Sequence, residues 1–202
     1  MIGLIGEFTN QEMNFEIEEG SRGFFIFEKD EHGNEFLKVI AGMKKPAKGE
    51  VFLMGKRLSE LSRDELFELR KKIGIVFKTG GLISNLKAWE NILLPALYHK
   101  VDNEENITKR GIEIIREFEL EKKIMCSVAQ LTKLEKRIIG IVRALLIKPD
   151  IIIFEYPFEG LQESERRWLS EKIEKLRGGI TALYILSSER ERLIIENKNA
   201  TS

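Results

Sequence analysis

Cysteine and histidine are scarce in this sequence, which has one cysteine and two histidines in 202 residues. A single cysteine, Cys126, excludes an internal disulfide and favours a reducing compartment. Because it has no neighbouring cysteine, we interpret it as an ordinary thiol and not as a nucleophile. Neither His32 nor His99 has a cysteine or histidine at ligand spacing, so the sequence indicates no metal site of that kind.

The sequence also has no excess of charge, since 33 basic residues balance 33 acidic ones. This balance gives no reason to expect nucleic acid as a partner. The apolar runs are too short to span a bilayer, and residues 1–7 lack the basic and long apolar regions of a signal peptide. We therefore expect a cytoplasmic protein without direct membrane insertion, which reaches the inner face of a membrane only through a partner.

What the sequence does contain is an alternation of strand and helix patterns. With 43% hydrophobic residues, 202 residues suit one domain with one sizeable core. The alternation predicts an α/β fold with a largely parallel sheet. The predicted strands are 13–17, 23–27, 50–54, 73–77, 150–155 and 180–186, and the predicted helices are 36–41, 62–72, 89–121 with an exposed connector, 134–148 and 163–177. We expect the polar tail 196–202 to be frayed.

Several segments carry a family resemblance in the same order along the chain. They are LKVIAG (37–42), KP (45–46), GEV (49–51), LFELRKKIGIVF (66–77), GLISNL (81–86), WENILLP (89–95), RAL (143–145), KPD (148–150), FEYP (154–157) and GL (160–161). Together they resemble the ABC transporter ATP-binding family, and 81–95 resembles lipid-asymmetry (Mla-type) importers in particular. The resemblance implies a P-loop NTPase-like ABC ATPase core with a mostly parallel sheet. It further implies a single domain, 1–202, with a small helical subdomain at about 82–135.

The phosphate-binding loop of that family is the first motif that departs from the pattern. ATP binding requires a Gly-x-x-x-x-Gly-Lys-Ser/Thr loop, whose backbone N–H groups surround the phosphates, and this motif does not occur here. The resemblance places the loop at 27–35, with Gly33 at the lysine position and Asn34 at a hydroxyl position. The loop contains four acids and one base, Glu28, Asp30, Glu31, Glu35 and Lys29, for a net charge of −3 with the histidine neutral. Two unit charges ~4 Å apart interact by about 1 to 4 kcal/mol, so this loop repels a triphosphate.

The other motif positions depart from the family independently. Glu155 takes the Walker B aspartate position, where it could still hold a metal. Tyr156 follows it in place of the catalytic glutamate, and a phenol that stays protonated at neutral pH is a poor general base. The remaining departures are the Q-loop position Lys78, the signature 131–135 (LTKLE) without its glycines, the D-loop position Gln162 and the switch position Ser188.

Two features allow a second interpretation as cation sites. The acidic residues 28–31 offer oxygen ligands, but their spacing does not fit the EF-hand pattern, so we interpret them as a solvated turn. Glu155 is either a relic metal ligand or a buried acid whose hydrogen bonds are satisfied, and we favour the second. We therefore expect no catalytic residue, no metal and no bound cofactor.

The apolar-rich segment 82–97 is our candidate for partner docking. The resemblance implies that it lies beside the groove that receives the coupling helix of a membrane permease, and Leu86 and Trp89 are the candidate contacts. The alternative is that these side chains are ordinary core.

Three hypotheses follow from these observations. The first is a non-catalytic subunit that docks on a permease or pairs with an active ABC ATPase, as scaffold or regulator. The second is a divergent but active ATPase of a lipid-type transporter, which binds ATP and Mg²⁺ through a replacement cation, with Lys78 the nearest candidate. The third is a stand-alone interaction protein on the same fold, because a fold does not settle a function.

Overall fold

The computed structural model describes residues 2–8 and 11–196. Its strands are β1 (Ile2–Phe8), β2 (Gln11–Ile17), β3 (Arg22–Ile26), β4 (Lys48–Leu53), β5 (Lys56–Arg57), β6 (Ile73–Val76), β7 (Ile151–Glu155) and β8 (Thr181–Leu186). Its helices are α1 (Asp30–Ile40), α2 (Arg63–Arg70), α3 (Ala88–Tyr98), α4 (Glu104–Glu117), α5 (Lys133–Leu146), α6 (Glu163–Arg177) and α7 (Glu189–Ile195). Beyond Glu196, the tail predicted to be frayed lies outside the described residues.

The strands form two separate sheets. One is parallel, in the order β3-β8-β7-β6, and the other is antiparallel, in the order β2-β1-β4-β5. The parallel sheet with its helices confirms the predicted α/β class. The parallel sheet that was predicted is present, and the second, antiparallel sheet was not predicted, because strand direction depends on pairing between distant segments that the periodicity of one segment does not contain.

Two apolar cores lie on opposite faces of the parallel sheet. Along β7, Ile152 and Phe154 belong to the core that contains α3 to α6, whereas Ile151 and Ile153 belong to the core between α1 and the antiparallel sheet. A strand that is buried on both faces has no polar face, which explains the uninterrupted apolar run of β7.

Helices α2 and α5 begin at residues whose side chains cap them. The Ser62 side chain accepts a hydrogen bond from the Glu65 amide at 3.2 Å, and the Glu65 carboxylate accepts from the Ser62 amide at 2.9 Å. This capping box confirms the predicted start of α2. Thr132 and Glu135 form the same box at the start of α5. Within the described part of the chain, no helix combines the length and the apolar character needed to cross a membrane.

Helix α1 begins six residues earlier than predicted. Only residues 27–29 connect β3 to α1, so the loop predicted over 27–35 was wrong in its extent, and 30–35 are helical. No side chain caps this helix, which is why the usual start signal is missing from the sequence. Asp30 and Glu31 instead lie in the first turn, where negative charge is stabilised by the helix dipole.

Candidate functional site

A cavity of about 830 Å³ lies between the first turns of α1, the segment 77–81 and the end of β7. The carboxyl ends of the parallel strands β6 and β7 meet here, which is where α/β sheets usually place a ligand site. The charged residues that line the cavity are Asp30, Glu31, Glu35, Lys38, Lys78 and Glu155. Four of these are acids and two are bases, so the cavity lining has an excess of negative charge, as residues 27–35 do in the sequence.

Glu155 is buried at the end of β7, and both of its carboxylate oxygens accept hydrogen bonds. One accepts from the side-chain amide of Asn34 at 3.1 Å, and the other accepts from the backbone amide of Lys78 at 3.1 Å. These partners agree with the interpretation of a satisfied buried acid. Within 2–8 and 11–196, no cluster of three potential His, Cys, Asp or Glu metal ligands occurs.

Tyr156 lies directly beneath the first turns of α1. Its hydroxyl donates a hydrogen bond to the carbonyl of Lys29 at 3.4 Å. A Cβ atom added at Gly33 would lie 2.1 Å from the same hydroxyl oxygen, so the helix reaches this position only because residue 33 is glycine. Burial, assisted by the carboxylates of Asp30 and Glu155, raises the pKa of Tyr156 to about 12. The phenol therefore stays protonated at neutral pH.

Lys78 extends its side chain to the start of α1. Its Nζ atom lies 2.5 Å from a carboxylate oxygen of Asp30 and 2.7 Å from one of Glu159, and 5.6 Å from the centre of the Tyr156 ring. Hydrogen bonds to Asp30 and then to Glu159 raise the pKa of Lys78 above its usual value. A cation therefore does point at the start of α1, as the active-ATPase hypothesis requires, but two carboxylates of the chain already pair with it.

The other predicted positions lie at the cavity or at the starts of other helices. Glu35, which lines the cavity, forms an ion pair with Lys44, and Glu28 is exposed. The remaining three lie at helix starts: 131–135 at α5, Gln162 immediately before α6 and Ser188 immediately before α7. None of these three lines the cavity.

Arg137 is a residue of this region that the sequence analysis did not identify. It is 3% exposed, and its guanidinium donates hydrogen bonds to the carbonyls of Lys78 (3.1 Å), Pro157 (2.7 Å) and Glu159 (3.1 Å). Its only sequence signal is that an arginine occurs on the apolar face of a helix, where a charge persists only with several partners.

Segment 77–81 also packs directly on α5. A Cβ atom at Gly80 would lie 2.3 Å from the Lys136 carbonyl oxygen, and one at Gly140 would lie 2.8 Å from the Gly80 carbonyl oxygen. Arg143 adds hydrogen bonds to the carbonyls of Gly80 at 2.8 Å and Gly81 at 2.7 Å. Helix α5 therefore holds this segment through Arg137 and Arg143, and one glycine on each side, Gly140 and Gly80, allows the close approach.

The candidate docking residues Leu86 and Trp89 are both half-buried. The Trp89 ring packs on α4, where a Cβ atom added at Gly111 would lie 3.0 Å from it. A separate groove of about 340 Å³ lies nearby, between α3, α5 and β6. Leu86 and Trp89 do not line this groove, whereas Ile83 and Leu94 do.

Comparison with known proteins agrees with this architecture. The sequence profile described as "ABC transporter" matches residues 35–159, and the chain belongs to this family. The chain is 26% identical to the lipoprotein-releasing system ATP-binding protein LolD of Buchnera aphidicola, over 92% of this chain and 81% of the relative. It is 26% identical to the intermembrane phospholipid transport system ATP-binding protein MlaF of Haemophilus influenzae, over 75% of this chain and 58% of that protein.

Among solved structures, the chain is similar to the dimeric structure of MJ0796, a bacterial ABC transporter cassette. The TM-score is 0.83 at 26% identity, covering 96% of this chain and 91% of that one. This similarity confirms the predicted ABC ATPase fold, and MlaF confirms the predicted resemblance to Mla-type proteins.

Proposed function

We propose that this protein is a non-catalytic ABC-type subunit, which docks on a membrane permease or an active ABC ATPase and acts there as scaffold or regulator. The observation that carries the proposal is that the protein's own groups pair with one another in the wall of the cavity at the start of α1. Lys78 is paired with two carboxylates, and the Tyr156 ring fills the space beneath Gly33. The proposed location is cytoplasmic, at the inner face of a membrane through the partner.

The local backbone supports the absence of ATP binding. Three residues, 27–29, connect β3 to α1, and they contain no glycine that would let the chain wrap around phosphates. The amides at a helix start can bind anions, but here Asp30 and Glu31 already place negative charge in that turn. A triphosphate would be repelled by those charges, and Lys78, one of the two lysines that line the cavity, is already paired with two carboxylates.

The proposed lack of turnover depends mainly on Tyr156. A general base must hold a proton acceptor within hydrogen-bond reach of the attacking water. With its pKa raised to about 12, the Tyr156 phenol is protonated and cannot accept that proton at neutral pH. Both carboxylate oxygens of Glu155 already accept hydrogen bonds, one from the Asn34 side chain and one from the Lys78 amide.

Calorimetric titration with ATP and Mg²⁺, beside a thermal-shift measurement, tests the proposal. We expect no heat of binding and no rise of Tm at millimolar ATP, because a ligand stabilises only when it binds the folded state. An ABC cassette with a complete phosphate loop serves as the positive control. Micromolar binding by this chain would contradict the proposal.

One observation favours the alternative of a divergent active ATPase, namely that Lys78 reaches the start of α1. In that case ATP would take Lys78 from its carboxylates, and Lys78→Ala would lose both binding and phosphate release. If the wild type binds ATP and Lys78→Ala does not, the alternative replaces our proposal.

We further propose that the domain spans 1–202 and that its helical subdomain covers about 82–135. Helices α3 and α4 pack on α5 in this region, so it is continuous with the larger core. Leu86 and Trp89 remain the docking residues proposed from the sequence. The groove lined by Ile83 and Leu94 extends the proposed docking surface, since both side chains are large, apolar and more than 40% exposed.

A further inference from the structure

We propose that the groove between α3, α5 and β6 binds a segment of the partner protein that carries one acidic side chain among apolar ones. The arginines of the groove pair with that carboxylate, and the exposed apolar side chains of the groove contact the residues beside it. The inference rests on the proposed function in one respect, that this groove is part of the docking surface.

The charged side chains that line the groove are both arginines. Arg70 is the last residue of α2, and Arg143 lies on α5. Arg70 donates a hydrogen bond to the carbonyl of Gly42, and Arg143 donates to the carbonyls of Gly80 and Gly81. Within the described part of the chain, neither guanidinium forms an ion pair with a carboxylate. The groove therefore has two positive charges that the fold itself does not neutralise.

The environment of Arg143 makes a missing carboxylate costly. The side chain is half-buried, and burial alone lowers the pKa of its guanidinium. A positive charge that is partly withdrawn from water and bonded only to carbonyls is stabilised when an opposite charge approaches it. Charge complementarity thus favours an acidic partner. It disfavours a second copy of this chain, whose own groove would bring arginine against arginine.

His99 is a further polar group of the groove without a use inside the fold. Its Nδ1 atom is buried and has no hydrogen-bond partner among the described residues. Its ring centre lies 6.0 Å from that of Phe67 and 5.1 Å from that of Tyr98, in edge contacts. Burial, and then Lys71, lowers the pKa of His99, while Glu68 acts in the opposite direction. An apolar ring would pack here without an unpaired nitrogen, so the imidazole favours a polar group supplied from outside.

The size and the apolar lining of the groove indicate what presents the carboxylate. The volume is about 340 Å³, and Met43, Ile83 and Leu94 line it with exposed fractions of 52%, 45% and 43%. Such a space receives side chains and not a whole folded element. One face of a short amphipathic helix, with its acidic residue between apolar ones, fits this combination of shape and charge.

Two labelled peptides test the inference without nucleotide. Both are amphipathic helices with leucine at i, i+3, i+4 and i+7, and they differ in one central residue, glutamate or glutamine. In fluorescence anisotropy, we expect the glutamate peptide to bind about tenfold more tightly, the effect of one charge-assisted contact. Equal binding of the two peptides, or binding of neither, would overturn the inference.

Arg70→Gln should remove the preference for glutamate, because it removes the exposed guanidinium of the groove. Lys100→Gln is the matched control, since Lys100 is exposed, follows α3 directly and does not line the groove. If both variants reduce the preference equally, the peptides sense the general surface charge and the inference is wrong.

NMR titration of the wild type tests the same contact through His99. The chain has two histidines, so His32, which does not line the groove, is the internal reference. A nearby carboxylate favours the protonated imidazole, so the glutamate peptide should raise the pKa of His99 and leave that of His32 unchanged. The charged side chains around His99 are those of Glu68, Arg70, Lys71 and Arg143. An unchanged pKa of His99 would show that the carboxylate does not reach the groove.

The outcomes for this inference and for the proposed function are distinguishable. Both measurements omit nucleotide, so ATP binding by the wild type would refute the non-catalytic role and leave the peptide result readable. Equal binding of both peptides would keep the groove as an apolar docking site and reject only its preference for an acidic partner.

Discussion

At the scale of single residues, Gly33 and Tyr156 determine each other's place. Tyr156 has a positive φ of 44°, which is uncommon for a bulky residue and persists only where the surroundings enforce it. The hydroxyl contact with the first turns of α1 is part of those surroundings. A glycine inside a helix normally weakens it, so its presence at position 33 indicates a packing requirement.

Gly33→Ala should therefore destabilise the protein, although alanine is the better helix former. The new Cβ atom would lie 2.1 Å from the Tyr156 hydroxyl oxygen and 2.8 Å from Ile185 Cγ2, and such overpacking costs about 1–3 kcal/mol. Urea unfolding should show this loss, and Tyr156→Phe should recover part of it by removing the hydroxyl. A double-mutant cycle measures the coupling. If Gly33→Ala were as stable as the wild type, α1 would not pack on Tyr156 as described.

At the scale of elements, α5 holds segment 77–81 through Arg137. Arg137→Met should leave the carbonyls of Lys78, Pro157 and Glu159 without their buried donor. We expect a loss of about 2–4 kcal/mol in the free energy of unfolding, since hydrogen bonds from charged groups are the stronger class. Hydrogen exchange should accelerate at 77–81 and 157–161 before it changes in β8.

Arg143→Met provides the comparison for that measurement. Among the described residues, Arg143 donates hydrogen bonds only to the carbonyls of Gly80 and Gly81, so its loss should accelerate exchange at 77–81 and leave 157–161 unchanged. If the two variants gave the same exchange pattern, Arg137 would not link the two segments.

The elements also show where sequence patterns succeed. Starts with a capping box were predictable, as at Ser62 and Thr132, because the box is local in sequence. The start of α1 at Asp30 was not, since its cap position has no side-chain hydrogen bond. The buried role of Arg137 was equally hidden, because its acceptors are 20 or more residues away along the chain.

At the scale of the whole molecule, the order of strands and helices predicted the α/β class, and the family resemblance predicted the ABC ATPase fold. The antiparallel sheet was not predicted. It forms because β4 pairs with β1, which lies far away in the sequence, and the local pattern of one segment contains no information about such a partner. The acidic character of residues 28–35 was visible in the sequence. That Lys78 pairs with Asp30 and Glu159 became evident only from the fold.

The proposed docking surface is a property of the whole molecule, because it is built from α3 and from residues that follow α1 and β6. Met43, Ile83 and Leu94 line the groove with exposed fractions of 52%, 45% and 43%. A charge at such a position should oppose apolar contact with a partner and cost the folded chain little. Leu94→Glu should therefore reduce co-purification with the permease of its transporter, at an unchanged Tm.

Leu86→Glu separates the two parts of the proposed surface. If only Leu94→Glu weakens the complex, the groove is the docking site and the sequence-based choice of Leu86 is wrong. If both variants weaken it, the surface extends from the groove to Leu86 at the entry to α3. Lys109→Glu, on the exposed face of α4, is the control for a general effect of added negative charge. If both leucine variants retain the complex, docking does not occur at this surface. At a true interface, a buried glutamate without a partner would cost free energy in addition to the lost apolar contact.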